Sequence, residues 1–211
     1  MTTAVFAPAL ARPGVELLRS DGGSAPLDTD RWRSTAAGED SWLLGRCHGP
    51  TLDLGCGPGR LIEGLAARGI PALGVDVAAE AVAQCHRRGA EVLHADLFDP
   101  LPGEGTWSHV LLADGNLGIG GDPVALLRRT AALIGPAGTV LVELDATEPG
   151  LWQGLARLRW DHGAGRMELS NPFPWAAAGV AALPGIARRA GLRLTMLYRG
   201  QRTFAELAGW S

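Results

Sequence analysis

Lysine is missing from the 211 residues, and all 19 basic side chains are arginine. No lysine chemistry is open to the chain, and the bias most simply reflects a GC-rich coding background. Clustered positive charge is missing as well. With a formal net charge of -3 and no basic run, nothing can neutralise a row of phosphates, so no nucleic-acid partner is expected. No apolar run approaches the ~20 residues that a membrane span requires, so no membrane partner is expected either. The first 18 residues lack a basic stretch, and Arg12, Pro13, Gly14 and Glu16 interrupt their apolar character, which is not how a secretory signal reads. The three cysteines, Cys47, Cys56 and Cys85, have no metal-ligand spacing, and their odd number and scatter do not suggest a disulfide framework. No metal is expected, and a reducing cytoplasm is the expected location.

What is present is a rhythm. From His48 to Asp145, short apolar runs at 51–54, 72–75, 91–94, 109–113 and 139–144 alternate with helical segments at 60–68, 78–88 and 123–134. Runs this short and apolar suit strands covered on both faces, and the alternation predicts repeated βα units around a parallel sheet. Only 103–105 replaces a helix with a glycine turn. The length suits one sizeable core rather than two. An N-terminal arm and cap helix is expected over 1–47, with a short helix at 15–20 and an amphipathic one at 31–47. The latter either covers a sheet edge or brings Trp32 and Trp42 to the wall of a substrate pocket. The main domain is expected over 48–211. Within it, 146–175 departs from the rhythm as a hairpin and lid, with strands at 155–160 and 166–170 around Asp161-His162-Gly163-Ala164-Gly165. A rigid aromatic stretch (171–175), a helix (176–190) and an antiparallel pair (193–198, 202–207) follow.

The first run ends in Asp53-Leu54-Gly55-Cys56-Gly57-Pro58-Gly59 and opens a helix at Arg60. Strand, glycine loop and helix together make a place where a ligand can meet the backbone without a Cβ in the way. Acids stand at the ends of the later runs: Asp76, Asp96, Asp114, then Glu143 with Asp145. In an open parallel sheet that edge binds ligands, and an acid about 20 residues beyond the loop accepts hydrogen bonds from ribose hydroxyls. Asp76 stands there. A dinucleotide fingerprint places its third glycine where this chain has Arg60. Asp53 adds negative charge beside the ligand, which is adverse for pyrophosphate and favourable for an ammonium and a sulfonium.

These motifs, with Gly74-Val75-Asp76, Ala95-Asp96 and the Asp114 to Gly118 segment, resemble the class I S-adenosylmethionine-dependent methyltransferase family over about residues 48–145. The resemblance implies a Rossmann-like, doubly wound α/β fold. Its sheet would be mostly parallel and seven-stranded, with an antiparallel last strand inserted beside the fifth. It also implies the cofactor residues: Asp53, Gly55, Cys56, Gly57 and Gly59 at the first loop, Asp76 with Val77 at the ribose, Asp96 with Leu97 at the adenine, and Ala113 and Asn116 near the methyl group. S-adenosylmethionine would be the cofactor and S-adenosylhomocysteine the product. Asp114-Gly115-Asn116 is not the Asn/Asp-Pro-Pro-Tyr/Phe motif of enzymes that methylate nucleobase or glutamine nitrogens, which argues against those substrates.

Methyl transfer from a sulfonium mainly requires alignment and exclusion of water, and a base helps where the acceptor carries a proton. Of the five histidines, only His162 lies in a segment that could cover the pocket. It and Asp114 are the candidate catalytic residues, with Glu143 an equal substitute for the latter. Trp32, Trp42, Phe173 and Trp175 are the candidate pocket walls, unless these aromatics simply pack hairpin against sheet. The expected activity is methylation of an oxygen or nitrogen of a small-molecule acceptor in specialised metabolism, by a monomer or homodimer. A non-catalytic S-adenosylmethionine-binding sensor or partner subunit is the alternative. A nicotinamide-dependent oxidoreductase is disfavoured by Arg60 and Asp53.

Overall fold

A computed structural model describes residues 5–163 and 165–210. Residues 1–4 of the expected arm, Ala164 of the expected turn and Ser211 lie outside the described residues. α1 (Ala7–Ala11) leads to β1 (Glu16–Arg19) and β2 (Ser24–Pro26), which form a hairpin, and then to α2 (Thr29–Arg33) and α3 (Asp40–Arg46). The expected helix at 15–20 is therefore β1. Four residues are too few for a stable helix, Gly22 turns the chain with φ 92°, and strands on both sides satisfy the backbone. The expected continuous helix at 31–47 is broken between α2 and α3, where Gly38 takes φ 57°. Asp28 caps α2 by accepting from the Arg31 N–H.

The alternating segment forms β3 (Thr51–Leu54), α4 (Arg60–Ala66), β4 (Ala72–Asp76), α5 (Ala79–Arg87), β5 (Val92–His94) and β6 (Trp107–Leu112). A 3-10 turn (Asn116–Gly121), α6 (Pro123–Leu133) and β7 (Ile134–Leu144) follow. All four residues of β3 are buried, as a strand covered on both faces requires. Asp122 starts α6 by accepting from the Val124 and Ala125 N–H groups, with Pro123 in the first turn.

Beyond β7 come β8 (Leu151–Asp161), β9 (Met167–Leu169), β10 (Phe173–Ala178), α7 (Leu183–Arg189), β11 (Leu192–Arg199) and β12 (Thr203–Gly209). The seven-stranded sheet runs β11-β12-β7-β6-β3-β4-β5. Its β3 to β7 strands are parallel, and β12 lies antiparallel beside β7, the Rossmann-like order that the resemblance implied. The expected helix at 176–190 begins only at Leu183. Ala176, Ala177 and Ala178 instead extend β10, because pairing with Gln153, Trp152 and Leu151 of β8 supplies the hydrogen bonds a helix would have made.

A second sheet, β10-β8-β1-β2 with β9 on the side of β8, joins residues about 140 positions apart: Leu17 of β1 faces Leu158 of β8. Leu17, Leu158, Trp160, Phe173 and Trp175 are buried with Leu117 and Ile119 of the 3-10 turn in one apolar cluster. A Cβ at Gly118 would run into the Ala176 carbonyl and the Trp175 indole, so β10 lies directly on that turn. The same contacts seat the second sheet over the carboxyl edge of the first.

Candidate active site

The loop after β3 is shaped by glycine and locked by one amide. Gly55 has φ 71°, and a Cβ there would meet the Asn116 side chain. That side chain's Nδ2 donates to the carbonyls of Leu54 at 2.9 Å and Gly55 at 2.8 Å. Gly57, at φ 53°, has open space where its Cβ would stand, and its N–H donates to Asp76 at 2.9 Å. The second Asp76 oxygen accepts from the Ala78 N–H at 2.8 Å. Each carboxylate oxygen has two acceptor positions, so Asp76 binds the loop and still has a lone pair per oxygen for a diol. Burial pushes its carboxyl above the ordinary value, partly opposed by those N–H groups.

Asp53 is buried at 2 % exposure and makes no hydrogen bond to the described residues. Its carboxyl is pushed up to about 7, first by burial and then by the charge of Asp114. A buried carboxylate on a cavity wall with no ion-paired partner among the described residues, only the more distant charge of Arg60, is half of an ion pair.

Asp114 is held differently. It is the one non-glycine described residue with positive φ, 55°, and its carboxylate is shared by three guanidinium groups. Arg31 Nη2 lies 3.0 Å away, Arg60 Nη2 2.6 Å and Arg202 Nη2 3.2 Å. Arg60 also pairs with buried Asp40, and Arg202 reaches Asp40 at 2.5 Å and Glu143 at 2.6 Å. This network ties α2, α3, α4, β7 and β12 together beneath the loop. It leaves Asp114 and Glu143 as anchors, with oxygens occupied by arginine.

Both sheets wall a cavity of about 420 Å³. Its wall includes Asp53, Gly55, Cys56, Gly57, Asp76, Val77, Asp96, Leu97, Ala113, Asp114 and Asn116, all singled out in the sequence. Gly59 is just behind, starting α4 at φ 87° with its hydrogen face against Cys85. Trp32 and Trp175 line the same cavity.

Three sequence candidates stand elsewhere. Trp42 is stacked on Phe204 at 5.5 Å, in the core between α3 and the β11–β12 pair. Phe173 shares a face of β10 with Trp175, two residues on, and packs against it at 5.9 Å between ring centroids without lining the cavity. His162 sits at the tip of the β8–β9 hairpin, 3.0 Å from Glu168, and does not line the cavity. His162→Ala is expected to leave kcat within about twofold of the parent, as for an exposed surface change, which a steady-state assay checks.

Sequence reading missed Phe6, Leu17 and Arg19 on the wall and Arg31, Asp40 and Arg202 in the network, and it named Asp145 only as a strand-end acid. Arg60, where a dinucleotide loop has glycine, was the one local sign that a side chain was wanted there.

Residues 51–138 match a family model described as a methyltransferase domain. No curated protein matches the sequence. Among solved structures, an S-adenosylmethionine-dependent methyltransferase from Bacteroides fragilis, in complex with S-adenosyl-L-homocysteine, is 18 % identical. It superposes with TM-score 0.76 over 98 % of this chain and 93 % of that one. The 1,6-didemethyltoxoflavin-N1-methyltransferase of Burkholderia thailandensis is 17 % identical, with TM-score 0.60 over 81 % of this chain and 75 % of that one. The CcbJ methyltransferase of Streptomyces caelestis is 18 % identical, with TM-score 0.58 over 77 % and 84 %. At these identities the likeness is one of fold. The fold is that of S-adenosylmethionine-dependent methyltransferases, and the methyltransferase-domain match falls on its central segment, residues 51–138.

Proposed function

We propose that the chain methylates a small-molecule acceptor bound between the two sheets. The observation that carries this is the convergence of the glycine loop with Asp53, Asp76 and Asp96 on the wall of a cavity that Phe6, Trp32, Trp152 and Trp175 also line. The cofactor, when bound, supplies an electrophilic methyl group on a sulfonium. The residues present fit it: Asp53 offers a buried charge without an ion-paired partner to a cation, Gly57 an open backbone, Asp76 two acceptor lone pairs to a ribose diol, and Asp96 with Leu97 an edge for adenine. Asn116 holds the loop in shape. Phe6 and Trp32 from the N-terminal segment and Trp152 and Trp175 from the second sheet cover the acceptor, and these aromatic walls exclude water from the reacting atoms. The solved structures named above include one acting on a small heterocyclic nitrogen, which supports a small acceptor here.

The test is calorimetric titration with S-adenosylhomocysteine. The parent is expected to bind, and Asp76→Ala to lose roughly 10- to 100-fold in affinity, equivalent to about 1–3 kcal/mol for a buried paired acceptor. Unchanged affinity in the variant would sink the assignment.

A further inference from the structure

The cavity wall contains an ionisable group whose bonding is half complete. Asp145 follows β7, and its Oδ1 accepts from Thr147 N at 2.8 Å, Thr147 Oγ1 at 2.7 Å and Glu148 N at 3.1 Å. These three bonds fix the carboxylate plane. Oδ2 has no hydrogen-bond partner among the described residues. The backbone N–H of Asp145 donates to Ala178 of β10 at 3.0 Å, the strand that presents Trp175 and Ala177 to the same cavity.

The wall's cations are already committed. Arg60 is taken by Asp40 and Asp114. Arg19 donates to Asp21 at 2.6 Å and Glu148 at 2.8 Å, with its guanidinium 4.3 Å from the Trp152 ring centre. Five aspartates stand on the wall against these two arginines: Asp53, Asp76, Asp96, Asp114 and Asp145. The same wall carries Phe6, Trp32 and Trp175, with Phe6 6.4 Å from Trp32 and 5.1 Å from Trp175 between centroids. Aromatic faces attract cations, and a half-buried carboxylate does so more strongly.

We infer that the acceptor is an amine carried on a flat apolar body, bound by Asp145 Oδ2 and by Phe6, Trp32 and Trp175. This rests on the methyltransferase reading and deepens it. An anionic acceptor meets a negative wall with no free cation. A neutral alcohol leaves the Asp145 charge without a counter-charge. An ammonium satisfies both, and one of its N–H protons must leave before the nitrogen lone pair can attack. Oδ2 is the oxygen available to take it, giving a neutral amine and a carboxylic acid.

The experiment is calorimetric titration of the full chain, saturated with S-adenosylhomocysteine, using 2-phenylethylamine and tryptamine against 2-phenylethanol and tryptophol. Each amine is expected to bind about 10-fold or more tightly than its alcohol, as charge-assisted hydrogen bonds imply. Asp145→Asn keeps the Oδ1 acceptor and is expected to abolish that preference while leaving the affinity for S-adenosylhomocysteine unchanged. Absence of an amine preference in the parent, including no binding by any probe, overturns the inference, as does a preference that survives in Asp145→Asn. The parent comparison decides even if that variant fails to fold. If S-adenosylhomocysteine itself does not bind, the methyltransferase reading fails, and the amine comparison in its absence still tests Asp145.

Discussion

Arg60→Met is expected to destabilise the protein by about 3–5 kcal/mol, measured by chemical denaturation at neutral pH. Arg60 is 2 % exposed and is the guanidinium between Asp40, also 2 % exposed, and Asp114. Methionine fills most of the volume but takes a guanidinium from two carboxylates, leaving the buried Asp40 with Arg202 alone and Asp114 with Arg31 and Arg202. The loss comes from the charges left behind rather than from the worth of the pair, and that distinction is testable. Asp40→Leu combined with Arg60→Met removes the more buried of those two charges and is expected to recover part of the stability. Additive losses in the double variant would contradict this account.

Lowering the pH from 9 to 5 is expected to stabilise the ligand-free protein through Asp53, by about 3 kcal/mol. The carboxyl has an ordinary value of 3.8 and titrates at about 7 in the folded chain. The folded state therefore holds a proton that the unfolded state has released. The stabilisation is complete below the unfolded value and is lost as pH rises through 7. Asp76 is shifted in the same direction by burial, so the informative quantity is the difference between the parent and Asp53→Asn. That variant is expected to be the more stable of the two at pH 9 and to show a flatter pH dependence. A cationic ligand pulls the other way, since it favours the ionised carboxylate. Binding of S-adenosylmethionine is expected to release a proton near pH 6, seen as a calorimetric enthalpy that varies with the buffer's ionisation enthalpy. The Asn variant is expected to lose that release.

The cofactor part of the site was legible because its signals are local. Gly55, Gly57 and Gly59 have left-handed or open backbone positions that glycine supplies, and the acids follow apolar runs that are strands for reasons of burial alone. Spacing along the chain therefore reports position in space, since each βα unit returns to the same sheet edge. Where the chain pairs with remote segments, that correspondence fails. β1 is a strand because β8 lies beside it, and nothing within 15–20 signals a partner 140 positions away. The alanines at the end of β10 favour helix intrinsically, and sheet pairing overrides them.

The acceptor part shows the same division. An aromatic residue in sequence cannot declare which neighbour it meets. Trp42 stacks on Phe204 and belongs to the core, whereas Trp32, ten positions earlier, reaches the cavity. Asp114 and Glu143 read as candidate bases because they end strands, but arginines from three distant segments converge on them and turn them into anchors. Asp145, two residues beyond Glu143, is left with an unpaired oxygen by the turn at Thr147 and Glu148.

The sequence by itself determined the sheet of βα units, the glycine loop and the charge that Asp53 and Asp76 bring to it, because burial, backbone freedom and short-range order are local properties. Only the tertiary structure decided what covers the cavity and which acids there remain unpaired. Those depend on strand pairs and ion pairs between segments whose separation along the chain carries no local physical signal.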